Sequence, residues 1–293
     1  MQLGKLGVWA SLDGLSAADA LAFAQRVEKR GFKVLWTPES RGRNVLVNAA
    51  WLLAGTSALI VATGIANIYA RDAVAMANAQ RGLNEQSGGR FLLGLGVSHR
   101  PLVSDMRGHA YGRPVPTMRS YLQAMRSAPY HAPPPQEPPK TVLAALGPKM
   151  LALAAEMSDG AHPYCVTPEH THAARQIVGA GKLLCPELMV LLETDPATAR
   201  AAARTALAPY TQLENYANNW RRLGFTEDDL TGGGSNRLVD ANVAWGDEAA
   251  IRARIKLFWD AGADHVSIQS IHPSGSRAIL DERVFDLLAP ARS

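Results

Sequence analysis

The sequence predicts a single (β/α)8 barrel that spans residues 1–293. Three observations predict this fold class. Eight short apolar runs recur along the chain, amphipathic segments follow them, and 47% of the residues are hydrophobic, which is enough for a large core. The runs are mostly apolar rather than alternating, as expected for parallel strands that are buried on both faces. An open doubly wound sheet is the alternative fold with the same order of strands and helices.

Each apolar run is a predicted strand of the barrel, and the segments between the runs have the spacing of helices. The first helix, 16–30, opens with Ser16 and carries Asp19 three positions later, which is close to a capping box. Residues 149–158 and 247–261 are the other clear helices, because their apolar residues recur on one face. In chain order, the predicted strands are residues 5–11, 33–40, 58–66, 90–98, 141–147, 159–167, 185–193 and 263–271.

Two segments depart from this alternation. The proline-dense stretch 127–140 predicts an extended surface linker that leads to the fifth strand. Residues 194–262 form an insertion between strands 7 and 8 that is longer than one helix and its loops require. It contains a helical piece, 196–222, and a glycine-rich stretch, 231–236. A lid over the site and a structural or dimer-contact elaboration are both open for this insertion.

Charge and cysteine content exclude several classes of partner. The chain has 30 basic and 26 acidic residues, with no run of five or more Lys and Arg, so a nucleic-acid partner is not expected. No apolar stretch reaches the roughly 18 residues that a membrane span needs, and no membrane partner is expected either. Two cysteines without a CxxC pair, and an N-terminus without a signal-peptide core, predict a cytoplasmic protein.

Two candidate proton-transfer groups follow predicted strands directly. In a barrel the active site forms where the strands end, at the C-terminal face. Glu39 follows the second strand, and His99 follows the fourth. A glutamate among apolar neighbours can act as an acid or a base. The alternatives are a glutamate that caps a helix or pairs with Arg41 or Arg43, and an ordinary loop histidine.

A helix start after the fifth strand is a candidate phosphate site. Residues 147–150 read Gly-Pro-Lys-Met, and the free amides, the helix dipole and Lys149 together suit a phosphate group. A metal site is not favoured for the histidines at 162, 170 and 172, because neighbours on a helix face apart. The glycines of "GLGVSH" (94–99) fail as a dinucleotide fingerprint and are expected to let a flat ring approach the strand backbone.

Four stretches carry a family resemblance over nearly the whole chain. They are "LWTPES", "VATGIANIYARD", "RFLLGLGVSH" and "LGPKMLALAAEMSDG", and in this order they resemble the bacterial-luciferase-like superfamily, in its actinobacterial branch of coenzyme F420-dependent oxidoreductases. The resemblance implies a bulge in the third strand with a cis peptide bond at Gly64-Ile65, pressed against the cofactor ring. The residues expected to contact the cofactor are Trp9, Glu39, Ser40, Gly64, Ile65, Ala66, Asn67, Gly96, Ser98, Gly147, Pro148, Lys149, Met150, Tyr164 and Cys165.

The resemblance also implies the activity. We expect hydride transfer between the deazaflavin F420 and an unidentified small organic substrate, with Glu39 and His99 as the catalytic pair. Ser40 stands where relatives often have a histidine, which shifts attention to these two residues. An FMN-dependent monooxygenase is the alternative, and a non-catalytic cofactor-binding protein is an alternative of another class. A homodimer is expected through the helices after the second and third strands, near residues 51–53.

Overall fold

The fold is described from a computed structural model of the chain, which describes residues 1–290. Its helices and strands alternate as the sequence predicts. The strands are β1 Leu6–Trp9, β2 Val34–Thr37, β3 Ile60–Thr63, β4 Ala66–Asn67, β5 Phe91–Gly96, β6 Thr141–Leu143, β7 Gly160–Ala161, β8 Leu183–Leu184, β9 Glu187–Leu192, β10 Val243–Gly246 and β11 Val266–Ser270. The helices are α1 Ala17–Lys29, α2 Val45–Ala54, α3 Ala73–Ser87, α4 Pro114–Arg126, α5 Pro148–Met157, α6 Pro168–Val178, α7 Pro196–Thr211, α8 Glu214–Arg222, α9 Glu227–Leu230, α10 Asn236–Asn242, α11 Glu248–Asp260 and α12 Glu282–Leu288.

The strands form a closed ring of parallel pairs. The order β9, β11, β1, β2, β3, β5, β6, β7, β8 runs around the sheet, and only Cys185 and Pro186 separate β8 from β9. The Cys185 N–H donates to the Ala161 carbonyl, and the Glu187 N–H donates to the Pro163 carbonyl, both at 2.9 Å. Residues 183–192 therefore act as one seventh strand that joins the two ends of the order. The barrel prediction is confirmed, and the doubly wound alternative is wrong.

Both faces of each barrel strand are buried, which explains the continuous apolar runs. In β2, Leu35 packs outward in the core beneath the helices, while Val34 and Trp36 pack in a separate cluster inside the barrel. The helices begin where the sequence indicates. Ser16 is the N-cap of α1, and its side chain accepts from the Asp19 N–H.

The predicted insertion 194–262 includes elements that extend the barrel sheet or belong to its regular alternation, and this part of the prediction needs correction. It contains β10, which pairs in parallel with β9, from Val243 opposite Met189 to Gly246 opposite Leu192. Its last helix, α11, is the ordinary helix before the eighth barrel strand. The sequence does not indicate β10 as a separate strand, because its four residues follow directly from α10 with no turn residues between them. The added structure is α7 to α10 and β10, and it has a hydrophobic core of its own.

Two surface features can be compared with their predictions. Residues 127–140 contain no helix or strand and are mostly exposed, as predicted for a linker. The expected dimer surface is partly wrong, because Leu52 and Leu53 are buried in the core. Trp51 is exposed as expected, together with Val47 one turn away on α2 and Val74 on α3.

Candidate active site

A cavity of about 830 Å³ opens at the C-terminal ends of the barrel strands. Side chains from the strand ends, from α7 and α8 and from the segment before α12 contribute to its lining. The predicted site residues that line it are Trp9, Glu39, Ser40, Gly64, Ile65, Gly96, Ser98, His99, Gly147, Pro148, Lys149, Met150 and Tyr164.

Three predicted cofactor contacts lie outside the cavity lining and need correction. Ala66 packs in the core beneath the helices, and Cys165 packs in the core of the inserted helices. Asn67 is 3% exposed, and its side chain accepts from the Tyr69 N–H. The side chains of these three residues therefore support the wall of the cavity from behind.

The third barrel strand has the predicted bulge. Ala62 pairs with Leu92, and Ala66 pairs with Leu95. The chain therefore advances four residues on this strand and three on its neighbour, and the extra residue forms a β-bulge. The peptide bond between Gly64 and Ile65 is cis, as the resemblance implied. Both residues of this bond line the cavity.

Glu39 holds the bulge in place. Its carboxylate accepts from the Asn67 N–H at 2.9 Å and from both Nη atoms of Arg71. The Glu39 N–H also donates to the Ile65 carbonyl at 3.2 Å. The side chains of this ion pair are buried, at 5% and 10% exposure for Glu39 and Arg71. The partner is Arg71 rather than the Arg41 or Arg43 that the sequence suggested.

The glycines of the fourth barrel strand fit the bulge. A β-carbon on Gly94 would stand 2.0 Å from the Thr63 carbonyl oxygen, and one on Gly96 would stand 2.6 Å from Ile65 Cδ1. The Thr63 hydroxyl also donates to the Gly94 carbonyl and accepts from its N–H. The close approach of the neighbouring strand by itself requires glycine at these two positions.

Two buried nitrogen atoms meet at Gly64. A β-carbon on Gly64 would stand 2.5 Å from Trp9 Nε1 and 3.0 Å from His162 Nε2. Both side chains line the cavity, and neither of these nitrogens has a hydrogen-bond partner within residues 1–290. Because a buried polar atom without a partner is costly, the site fits a ligand that brings polar groups to this point.

The bonding of His162 identifies its free nitrogen as an acceptor. Its Nδ1 lies 2.6 Å from the Cys185 carbonyl oxygen, which can only accept, so Nδ1 carries the hydrogen. The ring stacks on Trp36 at a centroid distance of 4.1 Å. Burial lowers the pKa of His162 to about 4, so the imidazole is neutral at neutral pH and Nε2 keeps its lone pair.

A directed chain of hydrogen bonds crosses one side of the cavity. Arg277 can only donate, and it donates to the Tyr210 hydroxyl. The Tyr210 and Tyr164 hydroxyls are 2.8 Å apart, and Tyr164 donates to Gln269 Oε1 at 2.7 Å. With one hydrogen on each hydroxyl, Tyr210 must donate to Tyr164. Burial raises the pKa of both tyrosines, which keeps the two hydroxyls protonated.

His99 lies where the inserted helix α8 meets the cavity. Its ring centroid is 5.8 Å from that of Tyr216. Burial lowers the pKa of His99, and the Asn215 side chain partly opposes this shift. His99 is therefore neutral at neutral pH and is able to accept a proton from a bound molecule.

The start of α5 forms a second polar end of the cavity. Gly147 is the N-cap of this helix, and no side chain caps it. One predicted free amide is not free, because the Met150 N–H donates to the Gly147 carbonyl. Lys149 and Arg222 also line the cavity, and Arg222 Nη2 would stand 3.5 Å from a β-carbon on Gly147. Two cations beside an open helix N-terminus suit a phosphate group.

Sequence reasoning missed the cavity residues that come from outside the strand ends. Tyr210, Tyr216 and Arg222 belong to α7 and α8, and Arg277 belongs to the segment before α12. The strongly amphipathic α8 was the available signal, since its apolar face needed a partner. Within the described residues, no helix is long and apolar enough to cross a membrane, and no group of three or more potential metal ligands comes together.

The fold and the cavity define an α/β barrel with a large cavity at the C-terminal face of its strands. The chain belongs to the luciferase-like monooxygenase family, whose sequence model matches residues 2–265. The family prediction is confirmed, and the chain is an enzyme of that fold.

Several known proteins are similar to this chain. A protein of Mycobacterium tuberculosis named as a candidate coenzyme F420-dependent oxidoreductase is 27% identical, over 79% of this chain and 80% of its own length. The 5,10-methylenetetrahydromethanopterin reductase of Methanolobus tindarius is 29% identical, but over only 54% of each chain. The solved coenzyme F420-dependent tetrahydromethanopterin reductase of Methanopyrus kandleri superposes with a TM-score of 0.78, covering 99% of this chain and 98% of its own, at 15% identity. At that identity the superposition shows the shared fold.

Proposed function

We propose that this protein transfers hydride between the deazaflavin cofactor F420 and a small organic substrate. The observation that carries the proposal is the shape of the cavity at the strand ends. It runs from the bulge at Gly64 and Ile65 to the cationic end at Lys149 and Arg222. A flat ring with a phosphate-bearing tail has matching parts. The F420-dependent relatives named above support this choice of cofactor over FMN.

The residues of this chain would hold and orient such a cofactor. When bound, a deazaflavin supplies the carbon that gives or accepts hydride. Ile65 and Gly96 would hold the ring, and Gly147, Lys149 and Arg222 would hold the phosphate. The inserted helix α8 places Tyr216 in the cavity lining, where it would shield a bound ring from water. This placement favours the lid role for the insertion.

Proton transfer is assigned to His99 rather than to Glu39. Glu39 already accepts from Arg71 and from the Asn67 N–H, so its carboxylate acts as the anchor of the bulge. His99 is neutral and lines the cavity beside Asn215. Its ring can take the hydroxyl proton of an alcohol while the carbon gives up hydride, and the protonated ring can return that proton to solvent.

Binding of the two cofactors to the purified protein tests the proposal. We expect fluorescence titration to give a micromolar or lower Kd for F420 and a much weaker Kd for FMN. With cofactor and reductant present, oxygen consumption should stay at the background level. Tight FMN binding with oxygen uptake would replace this function by a monooxygenase. Tight F420 binding without any hydride transfer across a broad panel of carbonyl and alcohol compounds would favour a non-catalytic binding protein.

We also propose that the protein is a cytoplasmic homodimer. Val47, Trp51 and Val74 give α2 and α3 an exposed apolar face that a second copy would cover. The two cysteines, Cys165 and Cys185, are free and buried, in keeping with a reducing compartment. A monomeric mass by sedimentation at micromolar concentration would contradict the dimer. An unchanged mass in a Trp51→Glu variant would place the interface elsewhere.

A further inference from the structure

Trp9 and His162 present an unused donor and an unused acceptor at one point of the cavity. Trp9 is 6% exposed and His162 is 1% exposed, so water has little access to either side chain. Trp9 Nε1 and His162 Nε2 lie no more than 5.5 Å apart, because both lie so close to the same point beside Gly64. One atom between them could form hydrogen bonds of ordinary length with both.

The other tryptophans show that this arrangement is exceptional in the chain. Trp36 Nε1 donates to His265, Trp220 Nε1 donates to Asn242, and Trp259 Nε1 donates to the Lys5 carbonyl. Among the buried indoles that the structure describes, Trp9 alone has an N–H without a partner. Its neighbour His162 is held by the Cys185 carbonyl and by stacking on Trp36, so its free nitrogen cannot turn away.

We propose that Trp9 Nε1 and His162 Nε2 together bind a single hydroxyl group of a molecule in the cavity. A hydroxyl accepts from the indole N–H and donates to the imidazole nitrogen with the same oxygen. A carbonyl oxygen would satisfy only Trp9, and an ammonium group would satisfy only His162. This inference rests on the proposed function, since it takes the cavity to be the site of cofactor and substrate.

Two sources could supply the hydroxyl. One is an alcohol substrate, whose oxygen would then be fixed relative to the carbon that exchanges hydride. The other is the hydroxyl on the benzenoid ring of a deazaflavin, where FMN carries methyl groups instead. Both present the same chemistry to Trp9 and His162, and an experiment can separate them.

Nitrogen-15 NMR of the full chain separates the two sources. The indole N–H signal of Trp9 and the Nε2 signal of His162 are followed, with the bonded indoles of Trp36 and Trp220 as internal references. F420, FMN and 2-propanol are added separately, and 2-propanol is also added to the F420 complex. At concentrations where fluorescence shows both cofactors bound, a downfield shift of the Trp9 signal and an upfield shift of the His162 Nε2 signal with F420 and not with FMN identify the ring hydroxyl. A shift that appears only with 2-propanol identifies a substrate hydroxyl.

Two outcomes separate an error in the hydroxyl site from an error in the proposed cofactor. If fluorescence shows that F420 binds and neither signal moves in any titration, the hydroxyl site is wrong and the proposed function stands. If F420 does not bind and 2-propanol still moves both signals, the hydroxyl site stands and the proposed cofactor is wrong.

A pair of conservative variants adds a second measurement. Trp9→Phe removes the free donor and keeps an aromatic ring, so affinity for F420 or 2-propanol, whichever moved the two signals, should fall roughly tenfold. The Trp9 indole makes no hydrogen bond within the described residues, so the loss of its N–H gives no reason for the Tm to fall. Trp259→Phe is the matched control, because it removes an indole that is already bonded and lies outside the cavity lining. Equal affinity of Trp9→Phe and the unchanged protein would overturn the proposal.

Discussion

Arg71 donates to both carboxylate oxygens of Glu39. Arg71 lies in the segment that follows the bulge, and Glu39 also binds the bulge itself. The ion pair fastens the end of the second barrel strand to the loop after the third. Because the Asn67 N–H donates to the same carboxylate, the path of the bulge depends on this charge. Glu39 therefore shapes the cavity without needing to exchange a proton.

Glu39→Gln and Arg71→Met should have matching effects. Each leaves one partner of a buried ion pair without its countercharge, which costs about 3–5 kcal/mol. We expect similar losses of stability in urea denaturation and similar losses of cofactor affinity. In the double variant the second change should cost much less than it does alone. If Glu39→Gln abolished turnover while Arg71→Met kept it, Glu39 would be the proton-transfer group after all.

Gly64→Ala should displace Trp9. The added β-carbon would stand 2.5 Å from Trp9 Nε1, so the indole must move away from the cavity floor. We expect a change in tryptophan fluorescence and near-UV circular dichroism, a stability loss of about 1–3 kcal/mol and a clear loss of cofactor affinity. Gly14→Ala is the matched control, because a β-carbon at Gly14 meets nothing within 4 Å. Unchanged affinity in Gly64→Ala would mean that the cofactor does not depend on Trp9 or on the bulge.

The sequence was sufficient for those parts of the molecule that local patterns encode. Strand runs that are apolar on both faces predicted the barrel, whereas the bulge was expected from the family resemblance. The partner of Glu39 was not predictable, since Arg71 is thirty-two residues away and meets it only through the folded bulge. Arg222 and Tyr216 were missed for a similar reason, because their place depends on how α7 and α8 pack back over the barrel.

Arg222→Met should weaken cofactor binding by roughly tenfold at low salt. Arg222 stands beside Gly147 at the open start of α5, where a bound phosphate would replace the water around its guanidinium. The difference between variant and unchanged protein should shrink as salt is added, since part of the guanidinium is exposed and screened. Kd values from titrations at several salt concentrations test this.

Arg221→Met is the control for that loss of charge. Arg221 pairs with Glu214 and Glu227 on the surface and does not line the cavity. Its removal changes the net charge equally, so affinity should stay close to that of the unchanged protein. Equal losses in both variants would indicate a long-range effect of charge, with no phosphate contact from Arg222.

Glu187 should make the protein less stable as the pH rises above neutrality. Burial raises its pKa to about 8 from an ordinary value of 4.5, against the opposing effects of the Cys165 N–H and Arg277. Between these values the folded protein keeps a proton that the unfolded chain has released, so stability falls as the pH rises. His162 and His265 act in the opposite direction, because burial lowers the pKa of each to about 4 from 6.5. Their contribution to the free energy of unfolding grows as the pH rises to about 6.5 and stays constant above it.

The window between about pH 6.5 and 8 therefore isolates Glu187. Urea denaturation of the unchanged protein should show a loss on the order of 1–2 kcal/mol across this window. Glu187→Gln cannot titrate and can still accept from the Cys165 N–H, so its stability should be nearly level there. Its advantage over the unchanged protein should grow with pH. If both proteins lost stability in parallel, Glu187 would be charged in the fold at neutral pH, and another group would be responsible for the slope.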